Sequence, residues 1–110
     1  MWLEYIRERL PHKSVIERDG GFAIFYEFEA EDAMYIEDIY VKRELRKSNL
    51  ATNIMEEIII EAKKCGFKYI LGSNDPTTAG STSSMKAMLA RGFEVYKVDN
   101  GMIFLRKEIE

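Results

Sequence analysis

Two segments of this chain carry side chains whose types and spacing could do chemistry. The first, Val41-Lys42-Arg43-Glu44-Leu45-Arg46-Lys47-Ser48-Asn49-Leu50-Ala51, places four cations just ahead of an apolar stripe with helical spacing. A helix N-terminus carries unpaired N–H groups and partial positive charge, so cations there oppose the macrodipole unless an anion lies between them. A phosphate or pyrophosphate resolves the conflict; a solvated basic loop with Ser48 as an ordinary helix cap accounts for the same residues. The second segment is Glu37-Asp38, two adjacent carboxylates inside an otherwise apolar run. Charges are costly in such a run, which favours a site over the exposed end of a strand. Strict alternation places Asp38 on the opposite face from Glu37.

Other chemistries find little support. His12 is the sole histidine and stands beside neither a cysteine nor a motif serine, so a triad is disfavoured. Cys65 falls on the apolar stripe of its helix and reads as core. As the sole cysteine it can form no internal disulfide, and a cytoplasmic setting fits. No cluster has zinc-ligand spacing, and Asp75 with Glu37 and Asp38 is too thin a basis for a metal site. The formal net charge of -3, from 16 basic and 19 acidic residues, argues against a nucleic-acid binder and suits a cationic acceptor. Glu27, Glu29, Glu31 and Asp32 could attract such an acceptor, although a solvated strand face explains them equally well. The N-terminus is too charged for a signal-peptide core, and no run reaches membrane-spanning length.

The elements that must position these groups follow from periodicity. At 110 residues the chain has the size of one domain, spanning 1–110. Trp2, Tyr5, Ile6 and Arg9 at helical spacing, ended by Pro11, predict a short helix over residues 2 to about 10. From Lys13 the period becomes two, and the Asp19-Gly20-Gly21 turn makes a hairpin with Phe22 to Phe28. Ala33 to Val41 is apolar on both faces, as a central strand requires. Leu50, Ile54, Met55, Ile58, Ile59, Ala62 and Cys65 form one helical stripe with Gly66 at its C-cap. A buried strand from Phe67 to Ser73, a helix from Ser81 to Arg91, and a hairpin of Phe93 to Val98 with Met102 to Lys107 complete the order α-β-β-β-α-β-α-β-β. Tyr35 and Tyr69 read as core.

On these residues the chain resembles a family. Tyr35-Ile36-Glu37-Asp38-Ile39-Tyr40-Val41 followed by Arg46-Lys47-Ser48-Asn49-Leu50-Ala51 is similar to the strand-loop-helix signature R/Q-x-x-G-x-G/A of GNAT-type N-acetyltransferases. Met88-Leu89-Ala90-Arg91-Gly92-Phe93 resembles the family's helix ending in Gly-Phe. The resemblance runs over residues 33 to 107, and Ile-Glu-Asp-Ile-Tyr-Val looks most like the diamine and polyamine branch. It implies an α/β acyl-CoA N-acyltransferase fold, a mixed sheet with helices on both faces, and acetyl-CoA as co-substrate. It also implies transfer of acetyl to a primary amine, a polyamine or lysine, by direct attack. A chain this short could complete its sheet or cleft as a homodimer.

Carried over residue by residue, the resemblance assigns the pyrophosphate of coenzyme A to Arg46, Lys47 and the backbone amides of Ser48, Asn49, Leu50 and Ala51. The main chain of Ile39 and Val41 is assigned to the pantetheine arm, and Asn74 faces the cofactor. Glu37 orients or deprotonates the amine, and the amide of Ile39 or Tyr40 serves the oxyanion. Asn49 stands where the motif has its first glycine. Met88 stands where the family has its usual tyrosine, which leaves Tyr40, Tyr96 and Ser84 as substitutes for the acid. Without such an acid, the runner-up is an inactive module that binds coenzyme A or a protein.

Overall fold

The computed structural model describes Glu4, Glu8, residues 12–46 and residues 48–109. Of the helix expected at the N-terminus only Glu4 and Glu8, both helical, are among them; the rest of it, and Lys47, lie outside the described residues. Six strands form one mixed sheet: β1 (Ser14–Arg18), β2 (Gly21–Phe28), β3 (Ala33–Val41), β4 (Tyr69–Asn74), β5 (Glu94–Asp99) and β6 (Met102–Glu108), in the order β1-β2-β3-β4-β6-β5. The two described helices are α1 (Leu50–Lys64) and α2 (Ser81–Ala90).

The turns arise where the residue types allow left-handed backbone. Asp32 closes the 3-10 turn Glu29–Glu31 at φ 54°, and Asn100-Gly101, at φ 50° and 77°, makes the tight hairpin turn between β5 and β6. Gly66, at φ 81°, stops α1 where a side chain would be strained.

Helix α1 buries Ile54, Ile58 and Ala62 against Ala23, Phe25, Met34, Ile36 and Ile70 of the sheet. Helix α2 docks on the same face. Ile70 and Gly72 are two residues apart on β4, and a Cβ added at Gly72 would stand 3.1 Å from Met88 Sδ. The two helices are also joined directly, Arg91 Nη2 donating to Thr52 Oγ1 at 2.8 Å. The expectation of helices on both faces therefore rests on the N-terminal residues outside the description. Cys65 is not core but exposed, because α1 ends at Lys64 and the stripe turns outward in its last turn. Tyr35 and Tyr69 are half-buried, on the face that neither described helix covers.

Candidate active site

Strand β3 belongs to two ladders, and only one of them runs its full length. With β2 it pairs antiparallel from Phe28↔Ala33 to Gly21↔Val41. With β4 it pairs in parallel at Ala33↔Tyr69, Met34↔Ile70 and Tyr35↔Leu71, and then the pairing stops. From Ile36 onward β3 follows β2, while β4 follows β6 from Tyr69↔Glu108 to Asn74↔Ile103. The two central strands splay, and beyond this point one edge of each has no strand partner among the described residues.

The cause of the splay lies in a β-bulge. Ile24 pairs with Asp38 and Phe25 with Ile36, so Glu37 is an extra residue that sharpens the local twist of β3. The bulge also corrects the expected alternation. Ile24, Tyr26 and Tyr35 lie on the face opposite the helices, and Asp38 faces the same way through its pairing with Ile24. Glu37 makes an ion pair with Lys13, whose ammonium lies 5.7 Å from the Tyr26 ring centroid, so it too is on that face. The two carboxylates are neighbours on one side. Burial pushes the Asp38 carboxyl above its ordinary value, opposed by the Ile39 amide and reinforced by the charge of Glu37.

The register shows which main-chain groups face the gap. Lys42 N–H donates to Gly20 O at 2.7 Å, which in an antiparallel ladder makes Phe22–Tyr40 the next hydrogen-bonded pair. The intervening residues, Ile39 and Val41, therefore turn their N–H and C=O groups away from β2 and into the splay. Of the two amides expected to serve an oxyanion, that of Ile39 faces the gap and that of Tyr40 faces β2. Val41 O accepts from Arg46 Nε at 3.0 Å, which anchors Arg46 at the mouth of the splay with its outer guanidinium nitrogens free of that bond. Tyr40 is 45% exposed, its ring 5.7 Å from that of Phe22 and 5.8 Å from the Arg46 guanidinium carbon.

Beside Arg46 the chain enters α1 through Ser48 and Asn49. Ser48 N–H is committed to Leu45 O at 3.0 Å, which takes it out of the expected set of donors. Ser48 Oγ also donates to Leu45 O and accepts from Leu50 N–H across a long 3.3 Å. The N-cap is Asn49, whose side chain makes no capping bond. Among the described residues no acceptor meets the amides of Asn49 and Ala51. Asn49 adopts φ -88° and ψ 13°, open to any residue, so replacing a motif glycine costs no backbone strain here. Gly20 and Gly21 bring the β1–β2 turn against this entry; a Cβ at Gly21 would meet Tyr40 O at 2.8 Å and Leu50 Cδ2 at 3.2 Å.

Asn74 ends β4, 6% exposed, with Nδ2 donating to Ser81 O at 2.8 Å. That bond ties the strand end to the start of α2. Met88 packs over Gly72 in the core. Sequence reasoning passed over one feature: Tyr35, the last residue of β3 to pair with β4, bonds its hydroxyl to Ser73 Oγ at 2.6 Å across the fork. The signal for it was a tyrosine at the end of the shared ladder, hidden within an apolar run. The backbone of Ser84 lies in α2, and Tyr96 is half-buried on β5, its hydroxyl pushed to higher pKa by burial. A concavity of about 470 Å³ lies elsewhere, between β1–β3 and the C-terminal half of α1, where Ile16, Phe25, Met34 and Ile60 line it. No group of residues suited to a metal ion occurs among the described residues.

A family model described as "Acetyltransferase (GNAT) family" matches residues 2–93, most of the chain. The chain belongs to the GNAT acetyltransferase family. Solved structures share its fold. A GNAT family acetyltransferase from Elizabethkingia anophelis with acetyl-CoA bound superposes with TM-score 0.72 at 18% identity, covering 96% of this chain and 82% of that one. The PaiA N-acetyltransferase of Thermoplasma acidophilum in complex with coenzyme A gives TM-score 0.75 at 15% identity, over 96% and 67%. The ribosomal-protein-S18-alanine N-acetyltransferase of Escherichia coli gives 0.71 at 14% identity, over 100% and 77%. No curated protein matches the sequence. The mixed sheet with its splayed central strands is thus the GNAT acyl-CoA N-acyltransferase fold.

Proposed function

We propose that this GNAT chain transfers the acetyl group of acetyl-CoA to a primary amine, with a polyamine, a small amine or a lysine side chain as acceptor. The observation that carries the reading is the fork between β3 and β4. The main-chain groups of Ile39 and Val41 face into it, and it opens beside Arg46 and the amides of Asn49 and Ala51, which meet no acceptor among the described residues. Those amides and Arg46 would hold the diphosphate, with Lys47 close in sequence to add charge. The pantetheine arm would add to β3 as a short strand, and strand-like pairing would hold the thioester in register.

At the inner end of the fork the Ile39 amide, which interacts with the Asp38 carboxyl in the free chain, would turn to the oxyanion that forms when the amine attacks. Glu37 lies on the face where an acceptor arrives and orients the amine or takes its proton. Asp38, on the same face, adds a second carboxylate, which favours a cationic acceptor and suits the diamine and polyamine branch. Tyr40 marks the rim and contacts Phe22 and Arg46, a placement that supports packing more than proton transfer. Met88 supplies no proton, and this favours the second reading, a coenzyme A binding module without turnover.

One experiment separates the two readings. Acetyl-CoA should raise the melting temperature under both, whereas free thiol should appear with a panel of polyamines, lysine peptides and arylalkylamines only if turnover occurs. No melting shift with acetyl-CoA would overturn both.

A further inference from the structure

On the face opposite the helices, an ammonium group already sits on the carboxylate nominated for the acceptor. Lys13 immediately precedes β1, whose first residue, Ser14, pairs with Phe25, so the Lys13 backbone lies level with Tyr26. Tyr26 pairs with Tyr35, the last residue of β3 that still pairs with β4. The lysine side chain runs inward along this row. Its ammonium lies 5.7 Å from the Tyr26 ring centroid and forms an ion pair with Glu37, the bulge residue just beyond the fork. Only 16% of the Lys13 side chain is exposed, against 39% for Glu37. A carboxylate beside an aromatic face is an environment that recognises a primary ammonium. Here the ammonium belongs to the chain itself.

We propose that Lys13 is an intramolecular acceptor, so that the chain acetylates its own Lys13 Nζ. The proposal rests on the acetyl-CoA reading above. The Lys13 ammonium gives one proton to Glu37, and the neutral amine attacks the thioester carbon. The new N–C bond forms as the C–S bond breaks, the second proton leaves nitrogen to neutralise the departing thiolate, and Glu37 returns its proton to solvent. The products are acetylated Lys13, coenzyme A as the free thiol, and one proton. Tethering the amine beside the fork raises its effective concentration far above that of any lysine met by diffusion.

The test incubates the intact chain with acetyl-CoA and no added amine, then reads intact mass and peptide maps. One acetyl group per chain is expected, located at Lys13, at a rate unchanged on dilution of the protein. Lys13→Arg should remove it, and Glu37→Gln should slow it by at least about tenfold, while both variants keep the melting shift with coenzyme A. The proposal is overturned if acetyl-CoA binds and free amines are acetylated while Lys13 stays unmodified. Acetyl groups scattered over many lysines at a rate indifferent to Glu37→Gln would overturn it equally. Absence of any acetyl-CoA shift would instead remove the underlying reading, and the proposal with it.

Discussion

Replacing Arg46 by alanine tests the proposed coenzyme site most directly. Its Nε is engaged by Val41 O at 3.0 Å, so the guanidinium is held at the mouth of the fork while its two outer nitrogens meet no acceptor among the described residues. A hydrogen bond to a charged group contributes roughly 1.5–3 kcal/mol. Arg46 is exposed, and solvent screening moves the expectation to the lower half of that range. About 1.5–2 kcal/mol corresponds to a dissociation constant roughly 10–30-fold weaker. The loss to folding should be small, because the variant removes one partly exposed hydrogen bond, worth about 1 kcal/mol. Calorimetric titration of coenzyme A into both proteins at low and high salt is the assay. The difference between them should shrink as salt rises, since screening acts on the removed charge. Arg46→Lys should fall between them, because a point charge keeps the attraction and loses the planar geometry that bonds Val41 O. Coenzyme A affinities within twofold for wild type and Arg46→Ala, at low salt, would refute the assignment of the diphosphate to this turn.

Two further outcomes are expected. Gly21→Ala should destabilise the fold by about 1–3 kcal/mol in urea denaturation, because the added Cβ would stand 2.8 Å from the backbone oxygen of Tyr40 and force β2 and β3 apart. Asp38→Asn should be more stable than wild type at neutral pH, with the gain disappearing as pH falls below about 3.8. The sign follows from burial: a carboxyl whose folded pKa is raised is disfavoured in its charged form, so the penalty is present above the unfolded pKa and vanishes once both states are protonated. Urea melts of the two proteins across that range would show it, and an advantage that persists in acid would point to another cause.

Much of the fold was legible because its signals are local. The bounds of β3 follow from an apolar run, interrupted only by Glu37-Asp38 and ended by a basic loop, and α1 follows from a 3.6-residue stripe capped by Gly66. Both hairpins follow from turn residues that accept positive φ, at Gly20 and at Asn100-Gly101. What misled was strict periodicity. Cys65 continues the apolar stripe of α1 by count, but the helix has ended by then and the thiol is exposed. Asp38 alternates with Glu37 by count, but the bulge puts both on one face.

From its residues alone, the chain determined its secondary-structure order, its family resemblance and the cluster of cations ahead of α1, since each depends on neighbours in sequence. The splay between β3 and β4, the orientation of Ile39 and Val41 into it, and the meeting of Lys13 with Glu37 were decided only in three dimensions. Their physical reason is common to all three. A strand paired on both edges can satisfy only one twist, and the extra residue at Glu37 lets β3 keep its ladder with β2 while β4 departs with β6.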